Sequence, residues 1–305
     1  MLGILFAFSP IFINNPRFTA RDRDITSNYN NEFDHENLKI SAVSGKIHIN
    51  NNWSAAKIAE ICTGNGTYSE PYVIEDLIID GGGSGSCIWI ENSNVFFKIE
   101  NCTAINSGVV AGICLGNVSN SRLINNYCSD NIWGIYLIYS NNNTVSGNTA
   151  TKSRSHGIHL SYSNNNTVSG NTANNNKYYG ILIYGGNDTM ISGNTAYNNI
   201  EGISVGNSDN NIISGNTIYN NRDGIYLWDS DNNNISGNTL IGNDECIVEE
   251  NCQGNTFSDN GECTYGQGNG GIPIEIIFLI SVISGGVVIG VAALLLIRRR
   301  RKTID

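Results

Sequence analysis

Residues 139–150 read YSNNNTVSGNTA, and residues 162–173 spell the same twelve letters again, 23 positions later. Asparagine is disfavoured inside regular structure and common in turns, so its repetition needs a physical reason. Working outward, the asparagine of SGNT recurs at Asn148, Asn171, Asn194, Asn216 and Asn238. Looser copies give Asn101, Asn126 and Asn260, and the steps between successive members are 22 to 25 residues. A glycine column keeps pace at Gly112, Gly134, Gly157, Gly180, Gly202 and Gly224. Behind each glycine stands an apolar–x–apolar triplet, for example Ile135/Leu137 and Ile158/Leu160. Another apolar column, Leu123, Val145, Val168, Ile191, Ile213, Ile235 and Phe257, lies three residues before the asparagine.

Alternation within a triplet has the period of a β-strand. Short strands joined by polar turns, returning every 22 or 23 residues, predict a coiled solenoid whose rungs stack at about 4.8 Å. Equivalent positions then lie directly above one another. A stacked asparagine can bond the amide of its neighbour and the turn backbone, so one residue type at one corner forms a ladder. Leucine-rich repeats share the period but need about seven spaced leucines or equivalents in each unit. Stretches such as NNNKYY cannot supply them.

The pattern GxYLxxSxNNxISGNT resembles the right-handed parallel β-helix repeats of the pectate-lyase-like superfamily, in its NosD-like and carbohydrate-binding/sugar-hydrolase branch. GTYSEPYVIEDLIIDGGGSGSCIWIENS, residues 66–93, is similar to the first coils of archaeal-type surface β-helix proteins. The resemblance spans residues 46–262 and implies an all-β fold of about nine coils, roughly 43 Å tall at the strand spacing. It leaves function open, because this fold hosts lyases, hydrolases, adhesins and accessory proteins.

The ends carry a second message. IIFLISVISGGVVIGVAALLLI, residues 276–297, holds 22 residues without a charge. As a helix it would be about 33 Å long, against a hydrocarbon core of about 30 Å. Basic residues 298–302 follow at once, which predicts a single membrane span with a cytoplasmic tail at 298–305 and everything before it outside. An export signal is then expected; residues 1–19 offer an apolar run broken by Pro10 but no basic start, as in a truncated signal peptide. Residues 20–45 read as a polar arm and start of a cap, and 263–275 as a linker.

The net charge is −10 and charged residues are 14% of the chain, which argues against nucleic acid as a partner. Eight cysteines, Cys62, Cys87, Cys102, Cys114, Cys128, Cys246, Cys252 and Cys263, gather toward the two ends of the repeats. In an exported chain they suggest disulfides there. No CxxC occurs, and no cofactor is expected.

The middle residues of the triplets should face outward. That column holds Trp89, Tyr136, His159 and Tyr226, and two residues further on come Tyr184 and Trp228. Rings beside amides suit sugar stacking; the alternative is cross-rung packing. Asp209 and Asp231, 22 apart, are the catalytic candidates, with a solvated turn as the alternative. His156 and His159 lack a partner Cys or Met, which makes a poor metal site. Polygalacturonase-like hydrolases carry NTD, DD and RIK motifs, none of which occurs here. Pectate-lyase-like sites join calcium-binding carboxylates to arginine on neighbouring coils, and Arg122, Arg154 and Arg222 have no acidic cluster at matching columns.

These features predict a membrane-anchored surface protein that binds glycans or surface proteins without catalysis. A polysaccharide lyase or glycoside hydrolase is the alternative, and a NosD-like accessory to a metalloenzyme the second alternative.

Overall fold

The computed structural model describes residues 42–261. The chain winds into a parallel β-solenoid with three sheets of nine strands each. Sheet 1 runs from Ala42–Ser44 to Thr239–Ile241, sheet 2 from Ile47–Asn50 to Glu245–Glu250, and sheet 3 from Tyr72–Glu75 to Thr256–Ser258. The chain visits the three sheets in turn, and every strand pairs in parallel with its equivalent one coil away. The two copies of the opening stretch are therefore stacked: Val145 pairs with Val168 and Thr149 with Thr172.

The apolar columns line the interior. Ile135, Ile158, Ile181, Ile203 and Ile225 are all fully buried, as are Val145, Val168, Ile191, Ile213 and Ile235. Each such side chain contributes about 1.5–3 kcal/mol of burial free energy. The glycine column has a steric cause. A Cβ on Gly157 would lie 2.6 Å from the Gly180 carbonyl oxygen of the next rung.

Corners take backbone groups out of strand pairing, and side chains replace the missing partners. Asn171 accepts the Asn148 backbone N–H at 2.9 Å, while its Nδ2 donates to the Val145 carbonyl at 2.9 Å and to Asn194 Oδ1 at 2.9 Å. The same bonds run from Asn126 through Asn148, Asn171, Asn194, Asn216 and Asn238 to Asn260. Asn101 does not join them. The Cys102 N–H donates to Asn126 Oδ1 at 3.0 Å, so Cys102 holds the ladder position. Asn101 sits one residue earlier, at φ 55 and exposed, in the corner column of Asn125 and Gly147. The early coil is out of phase by one residue, which also turns Lys98 outward to pair with Glu100 at 3.2 Å.

Two further asparagine ladders occupy the other corners: Asn176–Asn199–Asn221–Asn243, and Asn211–Asn233–Asn255. A short helix, Trp53–Ile58, closes the first coil. Its Trp53 is buried, stacks on Tyr72 at 4.9 Å between ring centroids, and donates from Nε1 to Ser93 Oγ at 2.8 Å. At the far end Glu249 replaces the apolar residue paired with Leu227, and the core stops there.

Six cysteines, Cys62, Cys87, Cys102, Cys114, Cys128 and Cys252, are free thiols, so the disulfides expected of them are not formed. Cys62, Cys87, Cys102, Cys114 and Cys128 are buried as thiols and Cys252 is half-buried. Among the described residues no helix is long and apolar enough to cross a membrane. The apolar segments 1–19 and 276–297 lie outside the described residues.

Candidate functional site

The outer face of sheet 2 differs from the other surfaces. The outward triplet column is in register: Trp89 pairs with Cys114, Tyr136 with His159, and Ser204 with Tyr226. Trp89, 39% exposed, stacks on His48 at 4.8 Å between ring centroids, and His48 Nε2 lies 2.8 Å from Glu91 Oε1. Tyr136 and His159 pack tilted at 4.8 Å between ring centroids, with Trp133 tilted at 4.7 Å from Tyr136. His156 lies flat against Tyr179 at 4.7 Å and edge-on to His159 at 5.2 Å. Tyr184 stacks on Trp228 at 5.6 Å. Trp228 reaches back two rungs because Gly206 lies beneath it; a Cβ there would sit 2.2 Å from Trp228 Cε2. Most of these rings thus turn their faces to one another, while Tyr226 makes none of these ring contacts.

A third outward column stands just before the glycines: Trp133, then Tyr179, Glu201, Asp223 and Glu245 in successive register. Sequence reasoning missed it by following only the residues after each glycine. Arg222 binds Asp223 Oδ2 through Nε at 2.9 Å and Nη2 at 2.6 Å, and its Nη2 lies 3.5 Å from Glu201 Oε1. The expectation that Arg222 lacks acidic neighbours is therefore corrected. With Tyr226, Trp228 and Glu250 these residues line a groove of about 520 Å³.

Polar atoms without partners concentrate here. Among the described residues eight buried side-chain nitrogens and oxygens meet no partner in hydrogen-bond geometry. Six belong to this face: Trp133 Nε1, His156 Nδ1, both ring nitrogens of His159, Ser204 Oγ and Glu201 Oε2. Native interiors leave few such atoms, and those that remain often mark function. Burial lowers the pKa of His156 to about 4 and, helped by the charge of His156, that of His159 to about 3. Burial raises the Glu201 pKa, with the Ser204 hydroxyl beside it opposing the rise.

Asp209 and Asp231 lie elsewhere, at a corner. Asp209 Oδ1 accepts the Asp231 N–H at 2.8 Å, and Asp231 Oδ1 accepts the Gln253 N–H at 2.6 Å. Asn141 and Asn164 do the same for Asn164 and Asn187 in earlier coils. The carboxylates of Asp209 and Asp231 act here as corner-stacking acceptors.

The chain is a right-handed parallel β-helix protein with an aromatic and acidic outer sheet. Residues 63–204 and 176–267 match the family model described as periplasmic copper-binding protein (NosD), and the chain belongs to that family. Among solved structures, it is similar to the periplasmic alginate epimerase AlgG, with 17% identity, a TM-score of 0.53, and coverage of 68% of this chain and 53% of that one. A mutant of the same epimerase matches with 18% identity, a TM-score of 0.50, and coverage of 59% and 50%. The chain thus spans about half the length of these structures, and at such identities the likeness shows the fold alone. No curated protein matches the sequence.

The family description raises the question of copper. Among the described residues no three His, Cys, Asp or Glu side chains converge where a metal ion could sit. His156 and His159 meet edge to face, and the rings packed against them are Trp133, Tyr136, Tyr178 and Tyr179, which offer no thiolate or thioether. These residues do not fit a copper centre.

Proposed function

We propose that this protein is an exported glycan-binding scaffold, held at the membrane by its apolar C-terminal segment 276–297 with the tail 298–305 inside. The observation that carries the reading is the gathering of aromatic rings and unpartnered polar atoms on the outer face of sheet 2. Sugars present apolar faces and hydroxyl edges together, which such a surface complements. The periplasmic description of the family agrees with an ectodomain outside the cytoplasm, and the alginate epimerase named above acts on a polysaccharide. The test is a glycan array probed with the full-length protein in detergent. Binding should fall at least about tenfold with Tyr226→Ala or Trp228→Ala, in line with removal of an interface aromatic. Absence of binding, or binding indifferent to both variants, rejects the reading.

One observation favours a lyase or hydrolase as second reading. Glu201 and Asp223 both reach Arg222 Nη2, so a buried carboxyl with a raised pKa stands beside an ion-paired one. Carboxyl pairs in contrasting environments suit acid–base work on glycosidic bonds. Release of reducing ends that stops with Glu201→Gln would favour it. A copper-accessory role lacks a ligand set among the described residues.

A further inference from the structure

The groove at the C-terminal end of sheet 2 has a sign. Four carboxyls, those of Glu201, Asp223, Glu245 and Glu250, line it against one guanidinium, Arg222. Arg222 is committed to Asp223 through two bonds, at 2.9 and 2.6 Å, and reaches Glu201 Oε1 only at 3.5 Å. Glu245 and Glu250 are exposed, and among the described residues no cation pairs with either. A separate observation points to a missing donor. Glu201 is 4% exposed and lines the groove, and its Oε2, buried beside the Ser204 hydroxyl, meets no partner in hydrogen-bond geometry.

We infer that this groove takes an amine-bearing sugar, a hexosamine unit with a free ammonium group, seated between the carboxyls of Glu201, Glu245 and Glu250 and the rings of Tyr179 and Tyr226. The inference rests on the glycan-binding reading above and names its substrate class. An ammonium carries three donors and no acceptor, which suits a groove lined by carboxyl acceptors, of which Glu250 already meets the Tyr226 hydroxyl. Aromatic rings add attraction for the same charge. A uronate would bring a further negative charge to a groove already rich in carboxylates, so acidic polysaccharides are disfavoured. A hard divalent ion needs six or more oxygens close around one point, and the carboxyls do not converge in that way.

The experiment is calorimetric titration of the full-length protein in detergent with three probes: a glucosamine oligosaccharide with free amines, the same oligosaccharide N-acetylated, and an oligomannuronate. The free-amine form is expected to bind about tenfold more tightly than the acetylated one, the size of one charge-assisted contact. That preference should vanish in Glu245→Gln/Glu250→Gln, two exposed positions whose change leaves the core intact. Equal or tighter binding of the acetylated form overturns the inference while leaving glycan binding standing, and so does a preference for the uronate. A preference unchanged in the double variant overturns it too. Spermidine binding as tightly as the amino sugar would make the groove a general cation site, against the sugar assignment. Binding of none of the three, with the array also blank, removes the glycan reading itself.

Discussion

Asn148 and Asn171 occupy the same corner on adjacent rungs, and both the backbone N–H and the Nδ2 of Asn148 donate to Asn171 Oδ1, at 2.9 and 3.0 Å. Asn171 repeats the arrangement on Asn194, so each amide group acts as acceptor for one coil and donor to another. Within the asparagine run a side chain needs both functions to make all of these bonds. Aspartate would lose the donor and leucine both.

Asn171→Ala should therefore lower stability by about 2–5 kcal/mol, because buried backbone groups on both sides lose partners. Asn260→Ala, at the half-exposed last rung, should cost less than half as much. Denaturant midpoints of the two variants check this; equal effects would contradict the ladder as a source of stability.

Gly206→Val should displace the Trp228 ring from Tyr184, since the added Cβ would stand 2.2 Å from Cε2. The indole is the end of a movable side chain, so the fold should persist. Trp fluorescence should shift while the unfolding free energy changes by less than about 1 kcal/mol. An unchanged spectrum would refute the stacking.

Acid should weaken the fold through the histidines. Folded His156 and His159 resist protonation down to about 4 and about 3, whereas an unfolded histidine titrates near about 6.5. Between those values the unfolded chain binds more protons, so stability is complete above about pH 6.5 and falls as the pH drops. Denaturation midpoints measured from pH 7 to pH 4.5 should decline, and His159→Phe should flatten the slope. An unaltered slope in that variant would place the acid sensitivity elsewhere.

Thiol reactivity should be withheld until unfolding. Burial pushes Cys87 and Cys102 up to about 11 and Cys114 to about 12, and raises fully buried Cys128 as well. The thiolate is the reactive form. Iodoacetamide at pH 8 should leave Cys128 unmodified in the native protein and label it in guanidinium, as read by peptide mass. Rapid native labelling of Cys128 would contradict its burial.

The solenoid was legible because its spacing forces like residues to stack, and Ile158 over Ile181 or Asn148 over Asn171 needs no more than a count. Asn101 misled because one extra residue in an early coil shifts the phase, and chemistry alone does not distinguish a corner asparagine from a ladder asparagine. Glu201, Asp223 and Glu245 escaped notice for a different reason. They precede the glycines instead of following them, and acidic residues in separate coils look unrelated until the register sets them in one column. The aromatic residues were found, but their mutual stacking depends on rotamers and on the gap above Gly206, which no linear pattern encodes.

The identity of the two copies at 139–150 and 162–173 has an evolutionary consequence. Excising one whole 23-residue unit, or duplicating it, would leave the corner asparagines and the buried apolar columns facing equivalent partners. The length of the solenoid is then a quantity inherited in whole storeys of about 4.8 Å, which unequal recombination can adjust while the corner ladders and the apolar columns stay continuous.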